Sequence, residues 1–224
     1  MAEDDGEVFL GHRYWFSRMK IALVIVVVAA VVAFGLVTKS RYQASSGIKP
    51  DSNAKASEPK DVYSGLRNRM LQGSRSGFSL APTAKPTQPW GVLMDWGVRD
   101  HTATVVAMSD GSASVYSSSG GGYIGGIGQE SIRKAAQNAV EVARGVQLPS
   151  QAATDYPLPI QHAVFFYFLT DAGVFVLRTS EKDLGSPAHP LRSVGDAMQG
   201  VITEYRLWDQ NGRKGGSELR KNPS

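Results

Sequence analysis

The chain has 224 residues, 24 basic side chains against 20 acidic ones, and no cysteine. That length accommodates one domain, or two small ones. The absence of Cys excludes a disulfide scaffold, thiolate metal sites and a cysteine nucleophile, and an apolar content of 42% excludes wholesale disorder.

The formal net charge of +4 describes none of the parts of the chain. Residues 1–20 hold three basic and four acidic side chains, and residues 21–37, IALVIVVVAAVVAFGLV, hold no charge at all. A 17-residue apolar run is at the short end of what crosses a bilayer core. It is too long for an ordinary strand, and in lipid a single segment satisfies its backbone groups only as a helix. It also exceeds the apolar stretch of a cleaved signal peptide, and no A-x-A site follows it. The expectation is a single-pass transmembrane helix over 21–37. Arg13, Trp15, Arg18 and Lys20 before it, and Lys39 and Arg41 after it, are expected at the two membrane interfaces. Basic residues close to the span number three before and four after, which does not orient it. The nine basic residues of 38–89, against three acidic ones, tip the expectation toward a cytoplasmic C-terminal part.

Residues 38–89 are rich in Ser, Gly, Pro, Lys, Gln and Asn and read as a basic linker, extended at the proline-dense 81–89. Within it, Val62, Leu66, Met70 and Leu71 have roughly helical spacing, so a short amphipathic helix is expected to interrupt a solvated tether. Arg67, Arg69 and Arg75 make that piece basic, which suits anionic lipid headgroups. Without interleaved aromatics, and with an acidic region following, the linker does not read as a nucleic-acid binder.

At Trp90 the texture changes, and residues 90–208 read as one globular α+β domain, followed by a basic flexible tail over 209–224. Residues 90–98 and 102–109 are apolar and β-branched, and Asp110-Gly111 is a strong hairpin signal leading into 112–119. A glycine-rich joint over 120–128 precedes a helix over 129–144, with Ile132, Ala135, Ala136, Ala139, Val140 and Ala143 on one stripe. Residues 162–171 read as a strand buried on both faces, the expected centre of the sheet, and turn at Ala172-Gly173 into 173–180. Leu191, Val194, Met198, Val201, Ile202 and Tyr205 mark a last amphipathic helix. The predicted order is βββ-α-ββ-α: a five-stranded antiparallel sheet with its helices on one face.

In its two hairpins, the helix between them and the glycine-rich joint at Gly120 to Gly128, this region resembles the roadblock/longin or profilin-like small domains, departing from their element order at its N-terminal end. The resemblance covers residues 90–208 and implies an interaction platform, often paired through sheet edges or helices, rather than an enzyme. A protein partner or a second copy is therefore expected.

Candidate chemistry is sparse. Gly120-Gly121-Gly122-Tyr123-Ile124-Gly125 matches G-x-G-x-x-G, and with Gly126 and Gly128 it is the candidate phosphate or nucleotide ligand site. Against that reading, the preceding strand belongs to an antiparallel meander, no acidic residue follows at the ribose-binding distance, and no Walker lysine is present. Glycine there also permits positive φ and close packing. Ser117, Ser118 and Ser119 lack a G-x-S-x-G context for His101, His162 or His189 to serve. The four histidines have no metal-ligand spacing. Asp95 and Asp110 lie on adjacent elements that could bring them together, and Trp90 and Trp96 read as core. No catalytic residue, metal site or cofactor is predicted. The expectation is a membrane-anchored, non-enzymatic interaction module or accessory subunit, with ligand binding at the glycine loop as the alternative.

Overall fold

The structure, a computed structural model, describes residues 59–221. The expected span at 21–37, its interfacial residues and the linker over 38–58 lie outside the described residues. Among the described residues, no helix is long and apolar enough to cross a membrane.

The elements in chain order are α1 (Pro59–Gln72), β1 (Gly91–Val98), β2 (His101–Met108), β3 (Ala113–Ser117), β4 (Gly122–Ile124), α2 (Glu130–Arg144), β5 (Ala163–Thr170), β6 (Gly173–Ser180), α3 (Glu181–Leu184) and α4 (Arg192–Lys221). The fold is α+β, and the strands form one antiparallel sheet in the order β4-β3-β2-β1-β5-β6. Six strands replace the expected five. The extra one, β4, comes from the glycine segment, whose pairing with β3 aligns Gly122 with Tyr116 and Ile124 with Ser114. Three residues with two-fold pleating leave no periodicity to read.

Both predicted hairpins form. At the first, Gly111 takes φ 92°, and Asp110 accepts from the Ser112 amide and hydroxyl, each at 2.8 Å. The second runs through Asp171 and Ala172, with Gly173 at φ 123°. The β1–β2 connection takes two residues, Arg99 and Asp100, with Arg99 left-handed at φ 54°.

Pairing with both β2 and β5 puts β1 beside the middle of the sheet, so β5 is second from the edge and not central. It is nonetheless buried on both faces, because both faces are covered. This corrects the expectation of helices on one side. One face, carrying Val92, Met94, Trp96, Val105, Val115, Phe166 and Phe168, packs against α2 and α4. The apolar stripe of α2 is buried as predicted at Ile132, Ala136, Ala139, Val140 and Ala143, where small side chains let the helix lie close on the strands. All six predicted apolar positions from Leu191 to Tyr205 are buried as well. Burial of each large aliphatic among them stabilises the fold by about 1.5–3 kcal/mol.

The opposite face, with Leu93, Val106, Met108, Tyr116, Tyr167 and Leu169, is covered by α1, Leu80, Trp90 and flanking loop residues. From Pro59 onward the expected tether is thus part of the folded unit, which does not begin at Trp90. Of the stripe expected for its helix, Leu71 is buried and Leu66 and Met70 pack partly buried against the core, but Val62 is 50% exposed, and Tyr63 and Arg67 are buried in its stead. At the other end, α4 continues to Lys221, past the domain end expected at 208.

Candidate functional site

Antiparallel register sets a single row of side chains across the α1 face. Asp95 on β1 pairs with Thr104 on β2 and Phe165 on β5; Thr104 pairs with Tyr116 on β3, and Phe165 with Arg178 on β6. Partners in an antiparallel pair share a face. A carboxylate in the middle of a sheet buried on both sides needs donors. Thr104 Oγ1 donates to Asp95 Oδ1 at 2.5 Å, and Arg67 Nε donates from α1 to Oδ2 at 2.7 Å. Asp95 is wholly buried and Arg67 is 5% exposed.

The guanidinium is saturated by acceptors. Nη1 donates to the Tyr156 carbonyl at 2.9 Å, and Nη2 donates to the Pro157 carbonyl at 3.3 Å and to the Tyr167 hydroxyl at 3.2 Å. Its carbon sits 5.3 Å from the Tyr167 ring centroid, within cation–π range. One turn earlier on α1, the Tyr63 hydroxyl bonds Thr104 Oγ1 at 2.9 Å, and its ring meets Tyr116 edge-on at 5.7 Å. The Tyr116 hydroxyl is buried without a hydrogen-bond partner.

Burial governs the protonation of this cluster. It pushes the Asp95 carboxyl up, against the opposing pull of Arg67 and the Thr104 hydrogen bond. Burial and then the charge of Asp95 push Tyr167 up to about 12, and push Tyr63 and Tyr116 up as well. For Arg67, burial favours loss of the proton, but Asp95 outweighs it and the group stays above its usual value. The cluster is thus a charged arginine set among neutral tyrosines, all sealed from water.

The six candidate glycines occupy one edge of the sheet. Gly120, Gly121, Gly122 and Gly125 have positive φ, and a Cβ on Gly122 would run into the Val115 carbonyl and Tyr116 backbone. The Gly120 amide donates to Ser117 O at 2.9 Å and the Gly125 amide to Ala113 O at 3.3 Å, so both face the sheet. Gly126 is buried beneath the Tyr205 ring, whose hydroxyl donates to Ala113 O at 2.7 Å, and Gly128 closes the one-turn 3-10 helix before α2. Tyr123 stacks on Tyr205 at 5.4 Å and meets Trp208 edge-on at 6.0 Å. Along this edge Ile124 is 64% exposed and Ile127 46%, and Trp208, against Tyr123, is 42% exposed. No charged residue occurs from Gly111 to Gln129. The other edge strand, β6, carries Arg178 and is partly capped by the Ala153 amide, which donates to Val174 O at 2.7 Å.

The remaining sequence candidates are scattered. Ser117 and Ser119 bond each other at 2.8 Å, and Ser118 Oγ accepts from the Thr102 amide at 2.9 Å. Among the described residues, no hydrogen bond joins these serines to a histidine. His189 bonds Thr179 at 3.1 Å, and His162 bonds Glu181 at 3.0 Å, with Trp96 Nε1 donating to the same carboxylate. Among the described residues, no group of three or more His, Asp or Glu could hold a metal. Asp95 and Asp110 do not meet: Asp95 is level with Thr104, while Asp110 is in the turn beyond Met108. Trp90 and Trp96 are core, on opposite faces. An open cleft of about 380 Å³ between Ser109 and the α2 residues Gln137, Asn138, Val140, Glu141 and Arg144 gathers no buried polar group.

Sequence reasoning missed the Arg67–Asp95 cluster. Its signal was an aspartate inside the apolar run 90–98 and the Tyr63, Arg67, Leu71 spacing. No family model, curated protein or solved structure matches the chain. The resemblance to roadblock/longin or profilin-like domains rests on element order alone.

Proposed function

We propose that this protein is a membrane-tethered, non-enzymatic interaction module. In this reading the apolar segment 21–37 anchors it in the bilayer, and the α+β domain docks a protein partner across the β4 edge. The observation that carries the proposal is an edge segment with no charge to protect it, on which Ile124 and Ile127 are exposed and beside which the exposed Trp208 meets Tyr123. Edge strands are ordinarily blunted by Lys, Pro or inward charge, and clustered exposed apolar side chains mark interaction surfaces. Tyr123, stacked on Tyr205 and against Trp208, gives the patch a rigid base. Aromatic anchors of that kind dominate interface energetics.

The test is site-specific photo-crosslinking of the full chain in its native membrane, with the crosslinking residue at Ile127 or, as a control, at Val62. Position 127 is expected to yield one discrete adduct that disappears with Trp208→Ala, and position 62 none. Equal adducts from both positions, or none from 127, would remove the proposal. Sidedness is tested separately with Lys49→Cys, the chain's sole cysteine. An impermeant thiol reagent applied to intact cells is expected to leave it unlabelled if the domain is cytoplasmic.

A further inference from the structure

We infer that the α1 face of the sheet is a receptor groove for an arginine-bearing amphipathic helix, occupied here by the chain's own α1, and that swinging α1 away at Gly73 opens it to a partner helix of the same pattern. The inference is independent of the β4 edge.

The pocket specifies the guanidinium chemically. Around Arg67 it presents acceptors only: the Asp95 carboxylate, the carbonyls of Tyr156 and Pro157, and the Tyr167 hydroxyl, which itself donates to Pro157 O at 2.8 Å. Planar donors reaching three directions at once, with one face on an aromatic ring, are a property of arginine and not of lysine. Around the pocket the surface is apolar, with Leu93, Val106, Met108 and Leu169 on the strands. The charge complementarity is plain. A helix that docks in the place of α1 buries the Asp95 carboxyl again, and a cation on that helix is what matches it. Tyr63 and Leu71, one turn on either side of Arg67, complete the pattern: aromatic, three residues, Arg, three residues, aliphatic. An amphipathic helix reads into a groove through such spacing.

Three observations make α1 the detachable part. It buries Tyr63, Arg67 and Leu71, with Leu66 and Met70 partly buried beside them, and meets the sheet through these long side chains rather than by close backbone approach. It is a 14-residue helix carrying Gly65 in its interior, and such a helix is marginal without its docking contacts. And the chain behind it is clamped separately. Directly after Gly73, Arg75 grips Asp171 at 2.8 and 3.0 Å and the Leu80 carbonyl at 2.9 Å, while Phe78 packs on Trp90 at 5.9 Å. Movement of α1 therefore leaves residues 75–90 in place.

The test uses a fluorescent peptide of residues 59–75 titrated against the full chain. It is expected to bind an Arg67→Ala chain at least about tenfold more tightly than wild type, whose resident α1 competes. A peptide carrying Arg67→Lys is expected to bind that same chain at least about tenfold more weakly. A second measurement needs no variant. By hydrogen exchange on the wild-type chain, amides of α1 should exchange about a hundredfold faster than those of β1 and β5, in a separate opening event. No preference of the peptide for the Arg67→Ala chain, or exchange of α1 only together with β1 and β5, overturns the inference. An Arg67-dependent dimer would make the occupant a second copy and overturn the assignment to a partner helix.

Discussion

The same four strands build two different interiors. Toward α2 and α4, Val92, Met94, Val105, Phe166 and Phe168 meet Ala-rich and aliphatic helix stripes, and the seal is apolar area. Toward α1, one register position over, the strands carry Asp95, Thr104, Tyr116 and Tyr167, and the Asp95 carboxyl depends on Arg67 and Thr104 for its hydrogen bonds. Apolar packing is tolerant of detail, because any well-shaped hydrocarbon contributes. A buried carboxylate is intolerant, because only a correctly placed donor offsets its desolvation. Both faces bury apolar area; the second adds a polar address specific to α1.

That contrast can be broken by substitution and by pH. The largest effect is expected from Asp95→Ala, which strands Arg67 in the interior and should cost about 3–5 kcal/mol in urea unfolding of the full chain followed by Trp fluorescence. Phe166→Ala should cost about as much by leaving a cavity. The faces then separate. Arg67→Met combined with Asp95→Leu should recover most of the first loss, because neither charge remains buried. A double variant as unstable as Asp95→Ala would show that the α1 face needs its ion pair.

The second difference is alkaline sensitivity. Burial pushes Tyr167 and Tyr205 up to about 12 from 10.0, and pushes Tyr63 and Tyr116 up too, so three of these four hydroxyls are on the α1 face. A raised folded-state value means the folded chain holds its proton longer. The associated stability is fully present below pH 10 and is lost as pH climbs through 10 toward 12. Each tyrosine should contribute a slope of about 1.4 kcal/mol per pH unit in that window. Urea midpoints at successive pH values read the slope; a flat profile would place these hydroxyls in contact with water.

Tyr116→Phe sharpens the point at smaller scale. It removes a buried hydroxyl that has no partner, so it should raise stability by about 1 kcal/mol at pH 8 and flatten the alkaline slope. The smallest effect is expected at the β4 edge, where Ile124→Asp should leave thermal stability within about 0.5 kcal/mol of wild type, since the side chain is exposed. A large loss there would mean that the patch supports the fold and is not a free surface.

The elements legible in the sequence are those whose signal is local. The stripe from Ile132 to Ala143 and the one from Leu191 to Tyr205 were readable because helical periodicity repeats every few residues, and Asp110-Gly111 because turn chemistry is confined to the turn. The glycine segment was visible as unusual, but its role as an edge strand was not, since three residues without large side chains carry no alternation. Helix α1 was half legible. Its existence follows from spacing, and Leu66, Met70 and Leu71 of the expected stripe do face the core, but apolar spacing gives no reason to place an arginine inside. In the fold Val62 is outside and Arg67 inside.

The α+β class, both hairpins and the two apolar helix stripes follow from local residue patterns. Only the tertiary structure decided that the sheet is covered on both faces, that a stretch resembling a tether belongs to the core, and that Arg67 and Asp95 meet. The reason is range. Arg67 finds Asp95 at a separation of 28 residues, Tyr63 finds Thr104 at 41, and the Tyr156 carbonyl lies 89 residues from the guanidinium it accepts. A buried charge announces that it needs a partner; the fold alone supplies which one.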